Sequence, residues 1–168
     1  MTARPTTLIL GWGNPGRLDD GLGPAFIDAI AAALPPDVAA SSDYQLTIED
    51  AADVAGHQRV LFVDADRVGS GPFRLERVLP SRLSPSFSTH SVSPGAVLSL
   101  SLDLFQAEPE AWLLGIRGYA FDAFGERLTD RARANLVRAV EHVRSAIDGA
   151  GFRKVCGHED PPCPTPSA

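Results

Sequence analysis

Residues 8–23 read LILGWGNPGRLDDGLG: an apolar strand, a glycine turn, then two adjacent acids where a helix should begin. Helix N-termini carry partial positive charge and unpaired N–H groups, so they suit phosphates and other anions. Here the chain supplies its own anions, Asp19 and Asp20. A turn built that way repels a phosphate and is better suited to a cation or a proton.

Outward from this turn, apolar runs alternate with amphipathic stretches. Thr7–Leu10, Val60–Val63 and Trp112–Ile116 are short continuous apolar runs, the pattern of strands buried on both faces of a parallel sheet. Tyr44–Ile48 and Phe73–Val78 alternate better and are expected as strands nearer an edge. Phe26, Ile30 and Leu34 recur at helical spacing, and Pro35-Pro36 ends that helix. Ser93 can cap a helix with Pro94 at its first position, and Val97, Leu100 and Leu104 mark its buried face. Thr129 or Asp130 caps the longest helix, with a stripe of Leu136, Val137, Val140, Val143 and Ile147. Gly149 and Gly151 close it.

The resulting order, β-α-β-α-β-β-α-β-α, predicts a single-domain α/β fold: three α/β/α layers around a mostly parallel, twisted sheet. The domain is expected to span residues 1–152, with 153–168 a Pro-rich tail. Sites in open parallel sheets lie beyond the carboxyl ends of the strands. That rule selects the turn Gly11–Gly23, Asp64 at the end of the VLFV strand, and the loop holding His90.

Composition bounds the function. The 168 residues suffice for one domain with a sizeable core, at 44% hydrophobic and 21% charged residues. A formal charge of −6 and a pI near 5.1 argue against a nucleic-acid partner held through its phosphates. No apolar run approaches the roughly 18–20 residues of a membrane span. The apolar stretch in MTARPTTLIL is too short for a secretory signal, so a cytoplasmic location is expected. The two cysteines, Cys156 and Cys163, lie in the tail and make no disulfide framework.

Gly11, Gly13 and Gly16 form a literal G-x-G-x-x-G between strand and helix. Pro15 and the Asp19-Asp20 pair stand where a dinucleotide fingerprint would face pyrophosphate, and no well-placed acid ends the second strand. A nucleotide site is therefore set aside. An acid in a first helical turn also stabilises the helix by roughly 0.3–1 kcal/mol, and for Asp19 that local role is preferred. A strand ending in Asp64 projects a carboxylate into the crevice, against the local alternative of a turn cap. Asp66 reads as solvated or turn-forming. His90 lies in STHSVSP just before a helix; alone it would read as structural. In the company of two carboxylates on separate strand-end loops it completes a mixed O/O/N set, which suits nickel, zinc, manganese or iron. Three protein ligands leave coordination positions open for water or substrate. His57 lies in a connection and His142 on the polar side of the last helix. His158, with Cys156 and Cys163, matches no standard metal spacing.

From about residue 7 to residue 147 the chain resembles the hydrogenase maturation proteases, endopeptidases that process the large subunit of nickel-iron hydrogenases. The segments GWGNPGRLDDGLG, LFVDAD, THSVSP and LLGIRGYAFDAFGERLTDRA carry the likeness. YQLTIED adds a looser match to the subgroup serving cytoplasmic, soluble hydrogenases. The resemblance implies that Asp20, Asp64 and His90 form the catalytic, metal-contacting set. Gly13 and Asn14 would shape the substrate crevice. Many relatives carry Glu at the first position; Asp20 is one methylene shorter, so the site must close up or bind through water.

The implied reaction is one cut near the C-terminus of the hydrogenase precursor, removing a short extension. Nickel, as the resemblance implies, arrives in the precursor rather than being held by the free enzyme, and the partner is that precursor, met by a monomer. Two other functions fit parts of the sequence. One is a nickel chaperone or docking module that uses the same ligands without cutting. The other is a peptidyl-tRNA hydrolase, whose opening LGWGNPG resembles; there RLDDG stands where that family needs a histidine.

Overall fold

A computed structural model describes residues 6–81 and 92–152. Its elements are β1 (Thr7–Trp12), α1 (Leu22–Ala31), β2 (Val38–Asp43), α2 (Asp50–Ala55), β3 (Arg59–Asp66), β4 (Phe73–Val78), α3 (Pro94–Phe105), β5 (Glu110–Arg117) and α4 (Asp130–Ser145). A single 3-10 turn, Leu18–Gly21, leads into α1. The strands form one five-stranded sheet in the order β2-β1-β3-β5-β4. All neighbours are parallel except β4, which pairs antiparallel with β5. The expected α/β class, with a mostly parallel sheet between helical layers, is what the chain adopts.

Two apolar cores explain the layers. Ile9, Leu61, Val63 and Leu114 point to one face, where α1 contributes Phe26 and Ile30 and α4 contributes Leu136 and Val143. Leu8, Leu10, Val60 and Phe62 point to the other, where α2 contributes Val54 and α3 contributes Val97 and Leu98. Burial on both faces is why these strands read as unbroken apolar runs. Phe73 and Leu75 are buried while Arg74 and Glu76 are not, the alternation of an edge strand.

Both expected caps form. Ser93 Oγ accepts from the Ala96 N–H at 3.2 Å, and Thr129 Oγ1 from the Ala132 N–H at 3.3 Å. Three expectations need correction. The second strand is Val38–Asp43, not Tyr44–Ile48. Only Leu46 of the latter segment is buried, while Tyr44 is 68% exposed. The segment VAASSD is a strand because its backbone pairs with β1; as an edge strand with mostly exposed side chains it has no apolar pattern to read. Val137, assigned to the buried stripe of the last helix, and Leu104, assigned to the buried face of α3, are both exposed. Among the described residues, no helix is long and apolar enough to cross a membrane. The tail 153–168, with Cys156, His158 and Cys163, lies outside the described residues.

Candidate functional site

The chain leaves β1 for β2 on one side and later returns to β3 on the other. β1 therefore has its two neighbours on opposite sides of a topological switch point, where open sheets form their crevice. The last β1–β3 pair is Gly11–Val63, and Trp12 pairs instead with Asp43 of β2. Asp64 is the first residue of β3 beyond that parting, still paired with Gly115 of β5.

The turn after β1 is fixed by its own polar groups. Asn14 Oδ1 accepts the Gly16 N–H at 2.9 Å, and the Asn14 N–H is donated to Asp20 Oδ2 at 3.0 Å. Amides that a pyrophosphate would need are thus used internally, which agrees with setting aside the nucleotide site. Gly13 has φ of +141°, and a Cβ there would stand 1.9 Å from the Asp20 carbonyl oxygen. Only glycine fits. Gly23 plays the matching part in α1: a Cβ would stand 2.1 Å from the Trp12 carbonyl, so helix and strand approach backbone to backbone.

Asp20 is half-buried at the end of this turn, and its charge acts on Asp64. Asp64 has its carboxyl pKa pushed up to about 6. Burial is the main cause; the neighbouring charges of Asp20 and Asp66 add to it, while hydrogen bonds from the Ala65 amide (2.7 Å) and the Trp12 side chain pull the other way. Trp12 also packs edge-on against Phe62, ring centroids 6.1 Å apart. It is a site residue that the sequence reading missed. The only signal was its place between two glycines of the turn.

Asp19 differs from its expected role. It is fully buried, and its carboxylate accepts four hydrogen bonds: from the amides of Tyr119 (2.7 Å), Ala120 (3.0 Å) and Thr129 (2.7 Å), and from the Thr129 hydroxyl (2.8 Å). It is a tie between the site turn and the loop 118–129, not an acid acting on a helix dipole. The backbone repeats the tie: Leu18 N–H donates to Gly125 O, Gly125 N–H to Gly16 O, and Asp19 N–H to Ala120 O. These bonds hold Leu18 at φ of +50°, a left-handed conformation that a leucine rarely adopts.

Asp66 is buried rather than solvated. It does form a turn, accepting from the Val68 (3.0 Å) and Gly69 (2.8 Å) amides and pairing with Arg74 Nε at 2.7 Å. Burial raises its carboxyl pKa, but the two amides and Arg74 outweigh that and the net shift is downward. His142 is half-buried against Phe73 rather than on a polar face, and burial lowers its pKa. His57 is half-buried, with Nδ1 2.7 Å from the Asp53 carbonyl.

His90 lies outside the described residues. The described chain resumes at Val92, which joins the α2/α3 core and donates its N–H to the Leu46 carbonyl. Among the described residues, Asp20 lies near enough for its charge to act on Asp64, and no group of three metal-ligating side chains is assembled.

The architecture matches solved structures along nearly its whole length. The hydrogenase maturating endopeptidase HybD from E. coli matches with a TM-score of 0.67 at 23% identity, over 92% of this chain and 98% of that one. The NiFe hydrogenase maturation protease HycI from Thermococcus kodakarensis KOD1 matches at 0.66 and 21%, over 88% and 96%. This is the fold of the hydrogenase maturation endopeptidases. The endopeptidase HycI from Escherichia coli gives 0.65 and 21%, over 92% and 99%. No protein-family model matches the chain, and no curated protein matches it in sequence.

Proposed function

We propose that this chain is an endopeptidase that removes a short C-terminal extension from a nickel-loaded hydrogenase large-subunit precursor. The observation that supports the reading is Asp64 at the end of β3 beside the switch point of this particular fold, holding its proton up to about pH 6 within reach of the Asp20 charge. A carboxyl with that pKa changes charge just below neutrality, where it can either ligate a cation or accept a proton. Asp20, Asp64 and His90 are proposed to contact the nickel that the precursor carries. Gly13 and Asn14 shape the crevice that admits the peptide. A divalent ion so held polarises a carbonyl or lowers the pKa of a bound water, and a free carboxylate takes the proton.

The test is a processing assay on nickel-loaded precursor read by mass. Asp20→Ala, Asp64→Ala and His90→Ala should each retain the thermal transition and lose the cut. Normal cleavage by all three would overturn the site. A wild-type chain that binds the loaded precursor and leaves it whole would instead be a chaperone or docking module. The chain is taken to act as a monomer on this one protein partner, in the cytoplasm.

A further inference from the structure

The chain carries a net charge of −6, and 14 of its 15 basic residues are arginine. Six of them gather at the single loop 118–129 beside the candidate site: Arg127 within it, Arg117, Arg131 and Arg133 next to it along the chain, and Arg17 and Arg67 reaching its rings. Four stack on rings of that loop: Arg17 on Phe124 at 5.2 Å, Arg67 on Phe121 at 4.3 Å, and both Arg131 (3.9 Å) and Arg117 (4.9 Å) on Tyr119. Among the described residues, Arg17, Arg127, Arg131 and Arg133 are in no ion pair. A guanidinium laid flat on a ring is held in orientation with its edge N–H groups turned outward for a carboxylate, which describes Arg17 and Arg131. Arg117 spends Nη1 on the carbonyls of Asp66, Arg67 and Gly118, and Arg67 faces Asp122 at 3.9 Å. Phe124 is 86% exposed, an uncovered aromatic in the middle of this cationic rim. Between Leu18 and Arg133 lies a cavity of about 480 Å³, lined also by Arg127, Leu128, Thr129 and Asp130. Asp122, Glu126 and Asp130 are the acids of this rim, and the six arginines outnumber them two to one. Leu18, in the wall of this cavity, belongs to the same 3-10 turn as Asp20.

Resting on the endopeptidase reading, we propose that this arginine-aromatic rim docks an acidic segment of the protein substrate. Charge complementarity chooses the partner: unpaired arginines on an acidic protein gain most from carboxylates, and the fork of each guanidinium matches them two bonds at a time. Arginine and aromatic side chains are also the residues enriched at protein–protein interface centres. A nucleic acid fits less well. The opposite lip of the crevice carries Asp43 and Asp50, beside Trp12, and a phosphate backbone crossing the edge would meet them.

The experiment uses the full chain and a fluorescein-labelled glutamate decamer, read by fluorescence anisotropy. Binding should weaken with added salt and fall about tenfold in the double variant Arg127→Glu/Arg133→Glu. Arg138→Glu, exposed further along α4, should bind like wild type. Absence of binding, equal weakening by Arg138→Glu, or tighter binding of a single-stranded oligonucleotide of equal charge would overturn the docking surface. In the processing assay the same double variant should raise KM and keep kcat. A wild-type chain that cuts no precursor, yet binds the decamer through Arg127 and Arg133, would sink the peptidase reading and leave the docking surface standing.

Discussion

Two corners of the same crevice treat their carboxylates in opposite ways. On the 118–129 side, Asp19 is fully buried and saturated by four donors from a segment a hundred residues away. At the strand end, Asp64 has one amide and one side-chain donor against burial and two neighbouring negative charges, and its pKa rises to about 6. A buried carboxylate surrounded by donors is a structural tie; one buried with too few is left able to take a proton or a cation. The difference sorts structure from candidate chemistry more sharply than burial does, because both residues are largely removed from water.

The contrast breaks most severely at Asp19. Asp19→Ala would leave the amides of Tyr119, Ala120 and Thr129 buried without an acceptor, with an expected loss of about 3–5 kcal/mol in urea unfolding. If the loss is under 1 kcal/mol, the loop is not held through this carboxylate. Asp64→Asn should do the reverse. The native carboxyl keeps its proton up to about pH 6, whereas the unfolded chain releases it near the ordinary aspartate value of 3.8, so ionisation weakens the native state as pH rises through that window. The asparagine variant cannot ionise, and relative to wild type it should gain up to about 3 kcal/mol at pH 8 and nothing at pH 3. Denaturant midpoints at the two pH values read this directly.

Smaller effects sharpen the picture. Arg74→Met removes one of the partners that lower the Asp66 pKa, so the stability Asp66 provides should be lost at higher pH during acid titration. An unchanged acid limb of stability would show that the Val68 and Gly69 amides suffice alone. Asp20→Asn removes a negative charge that raises the Asp64 pKa, so Asp64 should titrate at lower pH by a fraction of a unit in carboxyl-carbon NMR. An upward move would mean that Asp20 acts on Asp64 otherwise than by its charge.

Much of this was legible from local pattern. The runs around Ile9, Phe62 and Leu114 are buried on both faces, so their strands show as continuous apolar stretches, and the caps Ser93 and Thr129 announce their helices. The edge strand Val38–Asp43 was not legible, because backbone pairing rather than side-chain burial makes it a strand. Asp20 and Asp64 stand out as candidates because each ends a turn or strand at the carboxyl edge of the sheet. Trp12 and Asp19 could not be assigned their parts, since their partners are tens to a hundred residues distant.

The sequence by itself determined the layered α/β architecture and the glycine turn with its two acids, because periodicity and turn chemistry act over a few residues. Only the tertiary structure decided which acid is tie and which faces the crevice. That division depends on how many donors reach each carboxylate once β3, β5 and the 118–129 loop close around it, and hydrogen bonds across a hundred residues leave no mark in local spacing.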